Sequence, residues 1–230
     1  IVADGMSTDG TRNIVRNLMR QCNGILLIDN PEKIVSTGFN RALSITNGEY
    51  IIRIDGHCKI DENFLQNCIN CLNVVDAHCV GGPTKHIATT LVGEAISLAQ
   101  TSKFGVGSVP FRQGVKEGMY VDTLAFGLYK REVFKRIGGY DIELVKNQDD
   151  EFNFRMIQNG LKIWIDHSIK SFYYPRSSLI NLFKQYFLYG FYKIRVFQKR
   201  GSYSSLRHLI PLLFVLSIIF SVCFHIITDN

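Results

Sequence analysis

Tyr50-Ile51-Ile52-Arg53-Ile54 runs directly into Asp55-Gly56-His57. A short apolar run that stops at an Asp-Gly turn reads as a buried strand ending at a loop. The flanking sequence repeats the theme. Ile1–Ala3 reads as the end of a strand, followed by the turn Asp4-Gly5-Met6-Ser7-Thr8-Asp9-Gly10-Thr11. Asp9 or Thr11 is placed to cap a helix over 12–22. Ile25–Ile28 predicts a second strand, and Lys33–Asn47 a helix stopped at Gly48. Beyond the central strand, Glu62–Asn73 predicts a third helix, and Val74–Val80 leads into Gly81-Gly82-Pro83. Strands alternating with helices at this spacing indicate an α/β domain with a mostly parallel central sheet. Ligands of such sheets bind beyond the carboxyl ends of the strands, where both acidic turns fall.

The second half is less regular. Ile87–Gln100 predicts a helix, and Phe104–Gly118 a loop rich in Gly, Val and Ser. Val121–Tyr129 reads as a strand, Arg131–Ile137 as a helix, and Gly138-Gly139-Tyr140 as a turn. Gln148–Asn159 predicts a helix ended by Gly160; Ile163–Ile165 and Lys170–Tyr174 predict strands. Leu182, Phe183, Tyr186, Phe187, Tyr189 and Gly190 follow helical spacing within Leu179–Lys199.

With 46% hydrophobic and 20% charged residues in 230, the chain is neither disordered nor fibrous. Its 6 cysteines are too few for a disulfide scaffold. Cys68-x-x-Cys71 lacks a second such pair and falls within a predicted helix, so free thiols are expected rather than zinc. The net charge of +6 is concentrated near the end. Lys170, Arg176, Lys184, Lys193, Arg195, Lys199, Arg200 and Arg207 have no Asp or Glu among them, whereas the preceding sequence is nearly balanced. This basic stretch runs into the uncharged segment Leu209–Ile227, which is long enough to cross a hydrocarbon layer of about 30 Å. A membrane surface, not a nucleic acid, is the expected partner. Lys and Arg mark the cytoplasmic side, so the preceding domain is expected to face the cytoplasm at the cell (inner) membrane. The chain opens without Met in the middle of a strand, as expected of a fragment lacking an N-terminal element.

Three acidic clusters, at 4–9, 55–57 and 147–151, are candidates for chemistry. A carboxylate closing an apolar strand is costly unless paired or metal-bound. Asp55 and His57, two residues apart, are candidate ligands for Mn²⁺ or Mg²⁺, the imidazole favouring manganese. A capped turn with an unrelated His is the competing reading. Gln148-Asp149-Asp150-Glu151 reads either as catalytic or as an ordinary acidic first helical turn. Phe126, Tyr129 and Tyr140 are candidates for sugar stacking or for the core; Gly127 and Gly138 are expected to be structural.

Four segments together, DGMSTDGT (4–11), RIDGH (53–57), VDTLAFGLYKREVFKRIGGYD (121–141) and NQDDEFNFR (147–155), resemble the GT-A glycosyltransferases of family 2. The resemblance is greatest to the succinoglycan-type enzymes of bacterial exopolysaccharide synthesis and covers about residues 1–200. It implies a GT-A catalytic domain over 1–175; charge and hydropathy add a basic interfacial segment over 176–207 and a transmembrane helix over 208–228. The resemblance implies an inverting transfer from a nucleotide-diphosphate sugar to a lipid-linked saccharide, with a divalent metal. Asp4, Ser7, Asp9 and Asp55 would bind the donor. Asp55 and His57 stand in the place of the family's Asp-x-Asp motif. Asp149 would be the general base, with Asp150 the other candidate because Gln148 replaces the Glu of the family's pair. Asp122, Gln148 and Gln185 would lie on the acceptor side. Gln185 matches the first residue of the Gln-x-x-Arg-Trp motif of processive relatives, but Leu188 and Tyr189 replace its Arg and Trp. That departure implies addition of a single sugar. A nucleotidyltransferase and a non-catalytic, membrane-anchored binding module are the alternatives.

Overall fold

The computed structural model describes residues 1–102, 109–201 and 210–228. Strand β1 (Val2–Asp4) pairs in parallel with β2 (Leu27–Asp29) across helix α1 (Thr11–Gln21). Helix α2 (Val35–Ile45) packs on β1 and leads to β3 (Tyr50–Ile52). After β4 (Cys58–Ile60) come α3 (Phe64–Val74), β5 (Cys79–Gly81), β6 (Thr84–His86), α4 (Leu91–Thr101) and α5 (Pro110–Gln113). Next are β7 (Met119–Val121), β8 (Gly127–Lys130), α6 (Arg131–Ile137) and α7 (Gln148–Gln158). Strands β9 (Ile163–Ile165) and β10 (Ser171–Tyr173) precede the long helix α8 (Leu179–Arg200) and helix α9 (Ile210–Thr228).

The central sheet has five strands in the order β3-β8-β5-β9-β7. Its strands are apolar on both parities because both faces are covered. Ile51, Cys79, Tyr129 and Ile163 join Phe39, Phe134, Phe152 and Met156 on one face. Their immediate neighbours Val80 and Leu128 join Phe64, Cys68 and Leu72 on the other. A smaller sheet, β4-β10-β6, lies beside it.

The expectation of a mostly parallel sheet is corrected. Strand β8 runs antiparallel to both β3 and β5, and β7 antiparallel to β9; within this sheet only β5 and β9 are parallel. A strand buried on both faces carries the same apolar signal in either direction, so composition does not encode its sense. The predicted strand 121–129 is also divided, because residues 122–126 leave the sheet between β7 and β8. Part of the predicted loop 104–118 lies outside the described residues; within it, α5 is a short helix.

Phe126, Tyr129 and Tyr140 are core residues, each at most 6% exposed. Gly127 has no room for a side chain, since a Cβ there would lie 2.4 Å from Cys79 Sγ. Gly138 has φ +76°, which favours glycine.

Among the described residues no helix is long and apolar enough to cross a membrane. The expected crossing over 208–228 is therefore not supported there, and its first two positions, with Arg207, lie outside the described residues. Helix α9 nonetheless exposes Leu213, Phe214, Ile218, Phe220, Val222 and Ile227.

Burial pushes the Cys68 thiol up to about 12 and that of Cys71 up to about 11. At pH 8 both are protonated, and Cys68 is also sealed in the core. A thiol reagent at pH 8 is expected to label the exposed Cys22 and to spare Cys68 until denaturant is added. Mass spectrometry of the labelled protein checks this.

Candidate active site

The first acidic turn is built around Asp4, at the end of β1. Its Oδ2 accepts the Ser7 amide at 2.9 Å and Arg12 Nη1 at 2.7 Å. Arg12 Nη2 reaches Asp29 Oδ1 at 2.6 Å. Because Asp4 and Asp29 are register partners on β1 and β2, one guanidinium from α1 bridges two strand ends. The hydrogen bonds from Ser7, with Arg12 adding to them, hold the Asp4 carboxyl at about 2. Asp4 and Ser7 thus belong to one unit. Asp9 is engaged elsewhere: its Oδ1 accepts the amide and hydroxyl of Thr11 at 3.1 and 2.6 Å, but the N-cap of α1 is Gly10, in the left-handed region at φ 89°, so neither Asp9 nor Thr11 is the cap that the sequence suggested. Sequence reasoning missed Arg12, although a base in the first turn of α1 is unusual and so is a signal of a local acidic partner.

Asp55 is paired, and its partner comes from its own chain segment. Arg53 Nε lies 3.0 Å from Asp55 Oδ1, and Nη2 donates to Oδ2 at 3.2 Å. The two side chains, two residues apart, point the same way and form a forked pair. The guanidinium also sits 5.5 Å from the Tyr140 ring centroid and is attracted by Asp149. His57 turns its ring to the edge of Tyr173 at 5.7 Å, and His86 approaches the same ring at 5.2 Å. Burial lowers the His57 pKa against the pull of Asp55, and holds His86 at about 4 with Arg112 adding to the effect. Both imidazoles are therefore neutral at pH 7.

Among the described residues no group of three or more His, Cys, Asp or Glu side chains is arranged to hold a metal. A protein-built cage is not what Asp55 and His57 offer. One carboxylate and one neutral imidazole suit a cation whose other ligands are phosphate oxygens and water.

The third cluster opens α7. Asn147, at φ 62°, is its N-cap, and its Nδ2 donates to the Tyr189 carbonyl of α8 at 2.8 Å. Gln148 is buried, with its Oε1 unpartnered among the described residues. A Glu there would bury a charge, which a neutral amide avoids. Asp149 is half-buried and its Oδ1 accepts the Asp150 amide at 3.0 Å. Its charge is felt by Arg53, Tyr140 and Tyr189. Asp150 faces α8 instead: Oδ2 lies 2.6 Å from Lys193 Nζ and 3.2 Å from Arg200 Nη2, and its carbonyl accepts from Arg200. Gln185 Nε2 donates to the Tyr189 hydroxyl at 2.9 Å, so Gln185 joins the Asp149 neighbourhood through that ring. Asp122, exposed just after β7, acts on Arg200, the partner of Asp150.

Asp55 and Asp149 are thus linked through Arg53 and Tyr140, and Gln185 joins them through Tyr189; Gln148 is brought there only as the neighbour of Asp149 in α7. Known proteins are similar to the chain in sequence and fold. Residues 1–138 match the model of the Glycosyl transferase family 2. The chain is 35% identical over 219 residues to the succinoglycan biosynthesis protein ExoA of Rhizobium meliloti (strain 1021), covering 92% of this chain and 64% of that protein. It is 28% identical over 198 residues to the dolichyl N-acetyl-alpha-D-glucosaminyl phosphate 3-beta-D-2,3-diacetamido-2,3-dideoxy-beta-D-glucuronosyltransferase of Methanococcus voltae, covering 83% and 61%. The chain therefore spans less than two thirds of each relative's length. In structure it is similar to the mannosyltransferase PcManGT of Pyrobaculum calidifontis, solved with GDP-Man and Mn²⁺, at a TM-score of 0.62 and 15% identity over 93% of this chain and 58% of that one. It is also similar to S. aureus TarS 1–349, at 0.57 and 19% identity over 76% and 50%. The fold is the GT-A arrangement that the four sequence segments implied, and with residues 1–138 matched throughout, the chain belongs to glycosyl transferase family 2.

Proposed function

We propose that the chain is the catalytic part of a membrane-attached, inverting glycosyltransferase of polysaccharide biosynthesis. It would move a sugar from a nucleotide-diphosphate donor to a lipid-linked saccharide. The observation that carries this reading is the half-buried Asp149 beside the Arg53–Asp55 pair, in a chain of this family. The relatives support the substrate classes: the archaeal one is named for a dolichyl-phosphate-linked sugar acceptor, and the PcManGT structure holds GDP-Man and Mn²⁺.

In this reading Asp4, fixed by Ser7 and Arg12, stays ionised and accepts a hydrogen bond from the nucleoside. Asp55 and His57 face the diphosphate. A divalent cation held there would neutralise the charge that develops on the leaving group. Asp149 takes the proton of the acceptor hydroxyl as that oxygen attacks the anomeric carbon opposite the diphosphate. Asp150 is the other candidate, and its engagement with Lys193 and Arg200 favours Asp149 for this role. The Asp149 carboxylate works chiefly by position. Gln185 and Asp122 belong to the acceptor side. Leu188 and Tyr189, in place of Arg and Trp, favour addition of a single sugar.

Attachment to the cytoplasmic face of the membrane would use α8 and α9. The exposed Phe183, Phe187, Phe191 and Ile194 form a stripe on α8, flanked by the exposed Lys184 and Arg195. Helix α9 also exposes apolar side chains. Lys193, Lys199 and Arg200, read from sequence as headgroup ligands, pair with Asp150, Asp141 and Glu143 instead.

Asp149→Asn is expected to lower transfer by about 10²–10⁴-fold with nucleotide affinity nearly unchanged. Steady-state release of nucleoside diphosphate, measured beside nucleotide binding, checks this; full activity in the variant would refute the base assignment. Arg12→Ala, which frees Asp4 to move, is expected to weaken nucleotide binding by about tenfold, the effect of a charge-assisted hydrogen bond. Titration with a fluorescent nucleotide reads the change. Chelation and His57→Ala are each expected to weaken nucleoside-diphosphate binding while leaving bare-nucleoside binding intact. Indifference to both would remove the cation from the mechanism.

A further inference from the structure

Helix α8 grips the start of α7 on both sides of Asp149. On one side, Asn147 Nδ2 donates to the Tyr189 carbonyl at 2.8 Å. On the other, Asp150 receives Lys193 at 2.6 Å and Arg200 at 3.2 Å. Residues 193 and 200 are two turns apart and share one face of α8, with the fully buried Val196 between them. The Arg200 side chain is 2% exposed and lies 4.3 Å from the Phe154 ring centroid, so its charge is held inside the protein against α7. A charge so placed requires its partner. The apolar stripe Phe183, Phe187, Phe191 and Ile194 lies on the opposite face.

We propose that Lys193 and Arg200 are positioning residues that act through Asp150. They fix the first turn of α7, and with it the direction in which Asp149 points. Helix α8 is then a strut, with its apolar face on the outer side and its cations on the active-site side. This rests on the reading of Asp149 as the base. A carboxylate that works by position is sensitive to such support, because a shift of about 1 Å can cost up to a hundredfold in rate.

Lys193 is the better probe, since its side chain is 22% exposed and its loss threatens folding less than that of Arg200. The full-length protein in membranes is compared as wild type, Lys193→Met, Lys193→Arg, Asp150→Asn and the double variant Lys193→Met/Asp150→Asn. Turnover is expected to fall about tenfold in Lys193→Met and in Asp150→Asn. Affinity for nucleoside diphosphate and retention in the membrane are expected to stay within twofold of wild type. Lys193→Arg is expected to keep most of the turnover, and the double variant to be no worse than either single one, since both remove the same contact. Wild-type turnover in both single variants overturns the proposal. So do effects that multiply, or an equal loss of nucleotide affinity, which marks a merely structural role. Asp149→Asn serves as the reference: if it too turns over normally, the base assignment has failed, whereas loss in Asp149→Asn alone means that the strut has failed.

Discussion

The guanidinium of Arg53 is the charge on which the site depends. It is only 14% exposed and is forked onto Asp55, 26% exposed, while its face lies toward Tyr140. Removing one partner of a largely buried pair costs about 3–5 kcal/mol, because the other charge is left uncompensated. Asp55 at a strand end, Tyr140 in the core and Asp149 at a helix start are thereby tied to one group. The donor-side and acceptor-side carboxylates both act on this one positive charge.

The surrounding fold places these groups by ordinary means. Strand β3 is packed on both faces of the sheet, and Arg53 and Asp55 follow directly from its end. Phe152, on α7, packs against Tyr129, Phe134 and Tyr140. This aromatic cluster fixes the helix that carries Asp149, and α8 holds its first turn from the other side. Arg155 extends the same support by bridging Glu151 and the Gly139 carbonyl.

Much of this was legible in the sequence, and what escaped it has physical causes. The helix Arg131–Ile137 and the strand Ile163–Ile165 appear with the predicted bounds, because strong periodicity and glycine stops define them. Strand direction was not legible, since two-sided burial erases it. Strands β4 and β6 were missed because each carries a lysine, Lys59 or Lys85, at its exposed centre and so lacks an apolar run. Asp4, Asp55 and Asp149 were recognisable as candidates from their turns. The partners Arg12 of Asp4, Arg53 of Asp55, and Lys193 and Arg200 of the neighbouring Asp150 were not, because partner choice is made in three dimensions. The tail illustrates this: its cations look like a membrane patch in one dimension, yet three of them turn inward to carboxylates.

The central claim is that these carboxylates serve transfer of a sugar to a lipid-linked acceptor. The direct test incubates the full-length protein, in membranes, with a panel of nucleotide-sugars, lipid extract and Mn²⁺, and measures released nucleoside diphosphate. Release that requires both the lipid and one donor is the predicted result, and it names that donor. Donor binding across the panel without release, or release of pyrophosphate instead, would contradict the account.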